Sequence, residues 1–197
     1  MKRTLMIIAV LLLGLALLAA EAKDEAIEAL DAAKTQINKG DYAKARQEIE
    51  FALAKINEIL AEDLLKFIPD SSGGFTLESK DATSLNMMGA NNTAVGNYTK
   101  DDASFSLTIT VGGVLGQSGG MMGLANMFGA VAQAGKTVRV SGYTGTQEYD
   151  EDEEEGTLTI KVNDQITVIV TGENIKNADL LKTLAEMVEL DKLEEAY

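Results

Sequence analysis

The chain contains no cysteine, no histidine and no tryptophan, and a single proline, Pro69. Without cysteine there is no disulfide, so a hydrophobic core must hold the protein by itself, which a chain of this length can supply. Without histidine the commonest general base and the commonest transition-metal ligand are missing. Ser-His and Cys-His nucleophilic sites and the usual zinc sites are thereby excluded. Carboxylates are abundant, but no spacing singles out a pair placed for acid–base work, so an enzyme is not expected. Positive charge is also scarce. Seventeen Lys and Arg stand against 31 Asp and Glu, a net charge of -14. Such a surface repels nucleic acid and anionic head groups, and a nucleic-acid partner is not expected.

The most informative feature that is present lies at the start. Met1-Lys2-Arg3 precedes an apolar run from Leu5 to Ala20, and Ala20-Glu21-Ala22 follows. A basic end, a hydrophobic stretch and an A-x-A site in that order are the pattern of a secretory signal peptide over residues 1–22. The competing reading is an uncleaved anchor, but the run is about 16 residues where a helical span needs about 20. No Cys follows it, so no lipoprotein site exists. The expectation is an exported protein, periplasmic or secreted, with no stable membrane span after cleavage. Removing Lys2, Arg3 and Glu21 with the leader moves the net charge from -14 to -15.

Residues 23–68 read as a helical hairpin. Ala26, Ile27, Leu30, Ala33 and Ile37 recur at helical spacing, and Lys39-Gly40 supplies a cationic last turn with a C-terminal glycine. Asp41 can cap a second helix whose stripe is Ala45, Ile49, Ala52, Ile56, Leu60 and Leu64. Alternating steps of four and three predict a narrow seam suited to another helix. The run Gly40-Asp41-Tyr42-Ala43-Lys44-Ala45, with Ile49, Ala52 and Leu53, resembles the turn and second helix of a tetratricopeptide repeat. The resemblance covers one unit of about 34 residues with no second copy, and it implies that Tyr42 fills the corner between the helices.

Residues 69–197 read as an α+β sandwich domain. Ser71-Ser72-Gly73-Gly74 is a linker, and strand-like alternation begins at Phe75 and Leu77, continuing over Ala94–Tyr98 and Phe105–Val111. Lys100-Asp101-Asp102 marks a turn. Further strands are predicted at Thr137–Tyr143, Thr157–Val162 and Ile166–Thr171, with Asn163-Asp164 as a hairpin turn, and an amphipathic helix at 178–190 closes the chain. The predicted class is α+β, an N-terminal helical hairpin followed by an antiparallel sheet with packed helices. The element order, with Gly142-Tyr143, the Gly156–Ile160 run, Gly172 and a final helix, resembles the Mog1/PsbP-like sandwich, a resemblance that implies a fold and no function.

Three segments invite a chemical reading. Residues 130–137 loosely match a phosphate loop, but the helix and strand around it stand in the inverted order. Asp150-Glu151-Asp152-Glu153-Glu154-Glu155 could hold a divalent cation through Asp150, Asp152 and Glu154. As a calcium loop it lacks the required glycine at Glu155 and the bidentate glutamate at Lys161, and a solvated turn is the simpler reading. The stretch Val111–Gly135 carries no charge, eight glycines, and Met121, Met122, Met127 and Phe128. It reads as a buried crossing, as an adaptable surface for an apolar partner, or as thioether ligands for Cu(I), with Met87 and Met88 as further candidates. No cofactor is expected. The function expected from the sequence is non-catalytic binding of an envelope protein or an apolar ligand through the second-helix seam or the Met/Gly segment; the alternative is cation binding at 150–155.

Overall fold

A computed structural model describes residues 2–71, 73–85, 91–112 and 135–197, with side chains from Glu21 onward except those of Leu85 and Asn91. It divides into two compact units, 1–62 and 63–197.

The first unit is built on helix α1, Lys2–Lys39, and most of helix α2, Tyr42–Leu64. The helices are separated by a Schellman turn. Gly40 adopts φ 79°, its N–H donates to Ile37 O at 3.0 Å, and the Asp41 N–H donates to Gln36 O at 3.0 Å. Asp41 then caps α2, accepting from the Lys44 amide at 3.2 Å. That hydrogen bond, with the Lys44 ammonium, holds the Asp41 carboxyl below the ordinary carboxylate range. A Cβ at Gly40 would meet nothing within 4 Å. Gly40→Ala should therefore cost about 1 kcal/mol through the left-handed backbone alone, read as a fall in the stability of the helical signal to heat or urea.

The surface buried between the helices is alanine. Ala22, Ala26, Ala29 and Ala33 on α1 and Ala45 and Ala52 on α2 are buried, whereas Ile27, Leu30, Ile37, Ile49 and Ile56 are exposed. This corrects the expected stripes, which mixed the two sets. Alanine spaced by four, three and four lets two backbones approach closely, and the larger side chains are left on the flanks. Across the seam Lys55 Nζ lies 2.7 Å from Glu25 Oε2, and within α2 it lies 3.1 Å from Glu58 Oε2; these hydrogen bonds raise the lysine's pKa. Tyr42 is 72% exposed and fills no corner.

The second unit is a seven-stranded, wholly antiparallel sheet. Its strands are β1 (Thr76–Leu85), β2 (Asn91–Lys100), β3 (Ala103–Val111), β4 (Lys136–Val140), β5 (Tyr143–Asp150), β6 (Glu155–Lys161) and β7 (Ile166–Glu173). Their spatial order is β1-β2-β3-β7-β6-β5-β4, two meanders joined by the β3–β7 pair. The predicted strand Thr137–Tyr143 is broken by Ser141 (φ 47°) and Gly142 (φ 94°), a two-residue turn of the type whose twist suits a hairpin. The chain beyond it returns as β5, a strand too polar for its alternation to stand out. The Asp101-Asp102 turn and the 162–165 turn fall as expected. In the latter, Asn163 Oδ1 accepts from the amides of Gln165 and Ile166, each at 2.9 Å.

One sheet face is apolar, carrying Leu107, Ile109, Leu158, Ile160, Val168 and Val170, all fully buried. Helices α3 (Asp179–Ala185) and α4 (Leu190–Ala196) supply Leu181, Leu184, Leu190 and Leu193 to the same core, which also takes in Leu64, Phe67 and Ile68 from the end of α2 and the 3-10 turn Leu65–Phe67. The single closing helix expected over 178–190 is two helices. The chain leaves the helical path at Glu189 (ψ 71°), and this bend brings both Leu190 and Leu193 inward. The opposite face is mainly hydroxyl-bearing. One cross-strand row reads Val95, Thr108, Ile169, Thr159, Thr146 and Thr137. Threonine here supplies high strand propensity, and near the middle of this face Thr110, Thr167 and Ile169 are buried.

Four tyrosine hydroxyls tie the sheet and helices of this unit to their surroundings. Tyr98 donates to Pro69 O at 2.7 Å, Tyr149 to Ile175 O at 2.7 Å, Tyr143 to Glu194 Oε2 at 2.7 Å, and Tyr197 to Asp63 Oδ2 at 3.0 Å. All four phenols are raised above their ordinary value. Burial is the chief cause for Tyr98, Tyr149 and Tyr197, and the hydrogen bond to Glu194 for Tyr143. The folded state thus favours the neutral phenol. Its contribution is complete below the unfolded value of about 10 and is lost as pH climbs through the higher folded values. An alkaline titration should show phenolate absorbance from these four developing later than from unfolded chain, with stability falling above about pH 10.

Candidate functional site

Among the described residues, the large apolar side chains that stand well into solvent all belong to the hairpin. They are Ile27, Leu30 and Ile37 on α1 and Tyr42, Ile49, Phe51, Leu53 and Ile56 on α2, between 37% and 72% exposed. Their arrangement follows from helical geometry. At 100° per residue, Leu30 and Ile37 lie about a quarter turn from the α1 alanine seam, with Ile27 further round. Tyr42, Ile49, Leu53 and Ile56 lie about 40–100° from the α2 seam, in the same rotational sense. Because the helices run antiparallel, the two stripes fall on one side of the hairpin.

The other side is polar. It carries Glu28, Thr35, Lys44 and Glu58 and the Lys55–Glu25 bridge. Phe51 is the exception there, its ring 5.8 Å from Lys55 Nζ. Lys23, Lys34 and Arg46 line the outer margins of the apolar side, and Arg46 Nε lies 2.7 Å from Glu50 Oε1. Each helix thus carries two seams of coiled-coil spacing. One of alanine is consumed within the pair, and one of larger side chains is left open.

The acidic run forms the turn between β5 and β6. Asp150 Oδ1 accepts from the amides of Asp152 at 2.9 Å and Glu153 at 3.1 Å, so that carboxylate closes the turn. Glu154 sits at φ 54° and its carbonyl accepts from the Ile175 amide at 2.7 Å. Among the described residues, Asp150, Asp152 and Glu154 do not converge into a group of three or more ligands able to hold a metal, nor does any other set. Met121, Met122, Met127 and Phe128, and likewise Met87 and Met88, lie outside the described residues.

A depression of about 410 Å³ opens beside the 3-10 turn, between Phe67, Pro69 and Met187. Each of its charged residues has an ionic neighbour: Lys66 lies 2.6 Å from Asp63, Glu189 lies 2.6 Å from Lys192, and Asp70 lies 3.8 Å from Lys80. Among the described residues, no helix is long and apolar enough to cross a membrane.

No family model, no curated protein and no solved structure matches this chain. Periodicity alone marks the second-helix seam as a binding surface but spreads it over buried Ala45 and Ala52 and open Ile49 and Ile56 together. The signal that separates them is the alanine register Ala22-Ala26-Ala29-Ala33, which claims one face of α1 and forces the isoleucines and leucine off it.

Proposed function

We propose that this chain is an exported, non-catalytic interaction protein of the cell envelope, and that the open side of its hairpin takes up a partner. One observation carries the reading. Among the described residues, the large apolar side chains that stand well into solvent are all on the hairpin, and most of them lie on one side of it. Contiguous apolar patches above a few hundred Å² are uncommon on monomeric proteins and mark interaction surfaces. Export rests on the leader pattern of residues 1–22, and the absence of histidine and cysteine supports a role without catalysis.

The test is copurification from the cell envelope with the unmodified chain and with Leu30→Glu/Leu53→Glu. A species retained by the former and lost from the latter by tenfold or more is the expected result. The substitutions fall on exposed positions, so they should leave folding within about 0.5 kcal/mol. If both chains recover the same species in the same amounts, the open side is not the binding surface and the proposal fails.

A further inference from the structure

We infer that the occupant of the open side is a second copy of this chain, docking hairpin to hairpin as a symmetric four-helix bundle; this rests on the interaction reading above. Three features of the hairpin point to it. First, the open stripe repeats at steps of seven, four and three on α2, from Tyr42 to Ile49, Leu53 and Ile56, the spacing at which one helix receives another.

Second, the area fits. At the exposures found, the stripe leaves about 600 Å² open per copy, so a pair would bury about 1,200 Å², the lower bound of a specific interface. Third, the hairpin presents on this side the same kind of surface it would need to meet. Both helices contribute branched aliphatic side chains to one continuous patch, with cations at the margins and carboxylates such as Glu50 beside them. A two-fold axis through such a patch brings like apolar groups together at the centre, as an isologous interface requires. An area at the bottom of the range implies a reversible dimer, strengthened by salt because each exported copy, without Lys2, Arg3 and Glu21, carries a net charge of -15 where the full chain has -14.

The absence of native cysteine makes the test direct. Single substitutions Leu30→Cys, Ile37→Cys, Ile49→Cys and Leu53→Cys are placed in the full chain in its own cells, with Glu28→Cys on the polar side as the control. Mild oxidation should give a disulfide-linked band at twice the monomer mass from at least one open-side position and not from Glu28→Cys. Adding a charge at a second open-side position, as in Leu53→Cys with Leu30→Glu, should reduce that band at least fivefold.

Sedimentation of the purified unmodified chain should show a dimer that dissociates on dilution, whereas Leu30→Glu/Leu53→Glu stays monomeric. Equal cross-linking from both sides, or a monomer at all concentrations without a dimer band, overturns the inference. A benzophenone attached to the Leu53→Cys thiol distinguishes the remaining cases. Photo-cross-linking to a different polypeptide, or shielding of the thiol by anionic phosphatidylglycerol vesicles without a dimer, overturns the second copy while leaving the interaction reading intact. If the charged double variant changes neither copurification nor sedimentation, both fall together.

Discussion

Adding one methyl group at Gly172 should destabilise this protein by about 1–3 kcal/mol, seen as a lower urea midpoint at unchanged slope. Gly172 on β7 pairs directly with Gly156 on β6, and both open onto the apolar face of the sheet. The two glycines form a dent that receives Leu181 of α3. A Cβ at Gly156 would lie 2.9 Å from Leu181 Cδ1, and one at Gly172 would lie 3.0 Å from Leu181 Cδ2 and 3.0 Å from Ile175 Cγ2. Leu181 is fully buried, so Gly172→Ala must displace both it and Ile175. The reverse change, Leu181→Ala, empties the dent and should cost about 2–5 kcal/mol. The two effects should not add. With Leu181 truncated, the extra methyl enters vacated space, and the double variant should be more stable than the sum by at least about 1 kcal/mol. Additive behaviour would mean that the glycines serve another purpose than seating the helix.

In the hairpin the usual rule that large apolar residues are the sensitive ones should be inverted. Ala52→Leu is expected to cost about 1–3 kcal/mol, because the added atoms force apart two helices held at alanine distance. Leu53→Glu, one residue along and half exposed, should change the stability of the dilute protein by no more than about 0.5 kcal/mol. Hydrogen exchange of the α2 amides separates the two, with faster exchange for Ala52→Leu and unaltered exchange for Leu53→Glu in dilute solution. If Leu53→Glu proves as damaging as Ala52→Leu, the alanine seam does not hold this helix pair together.

The elements best anticipated are those set by local chemistry. Lys39-Gly40-Asp41 ends one helix and starts the next because a left-handed residue and a side-chain cap act over four residues. The alternation of Phe105, Leu107, Ile109 and Val111 against serine and threonine specifies a strand with one wet face, and all four apolar residues are buried. The class, helical hairpin followed by antiparallel sheet and helices, follows from the order of such elements. Strand β5 was missed because Thr144, Thr146 and Glu148 face water and Gly145 carries no side chain, so little hydrophobic signal is left. The bend at Glu189 was missed because the apolar spacing through Leu190 satisfies one helix as well as two.

The candidate surface was legible only as a set of residues. Periodicity shows that Ala26, Ile27, Leu30, Ala33 and Ile37 share a helix, and it shows nothing about which of two adjacent stripes turns toward a neighbour. The helix ends, the alternating strands, the acidity and the exclusion of histidine and cysteine chemistry are legible in the chain's order and composition, because each depends on a few consecutive residues or on residue counts. That alanine closes the hairpin and leaves the isoleucines and leucines in water emerges from the packing of the two helices. That choice depends on how closely two helix backbones can approach, a distance that exists only once both helices are in place.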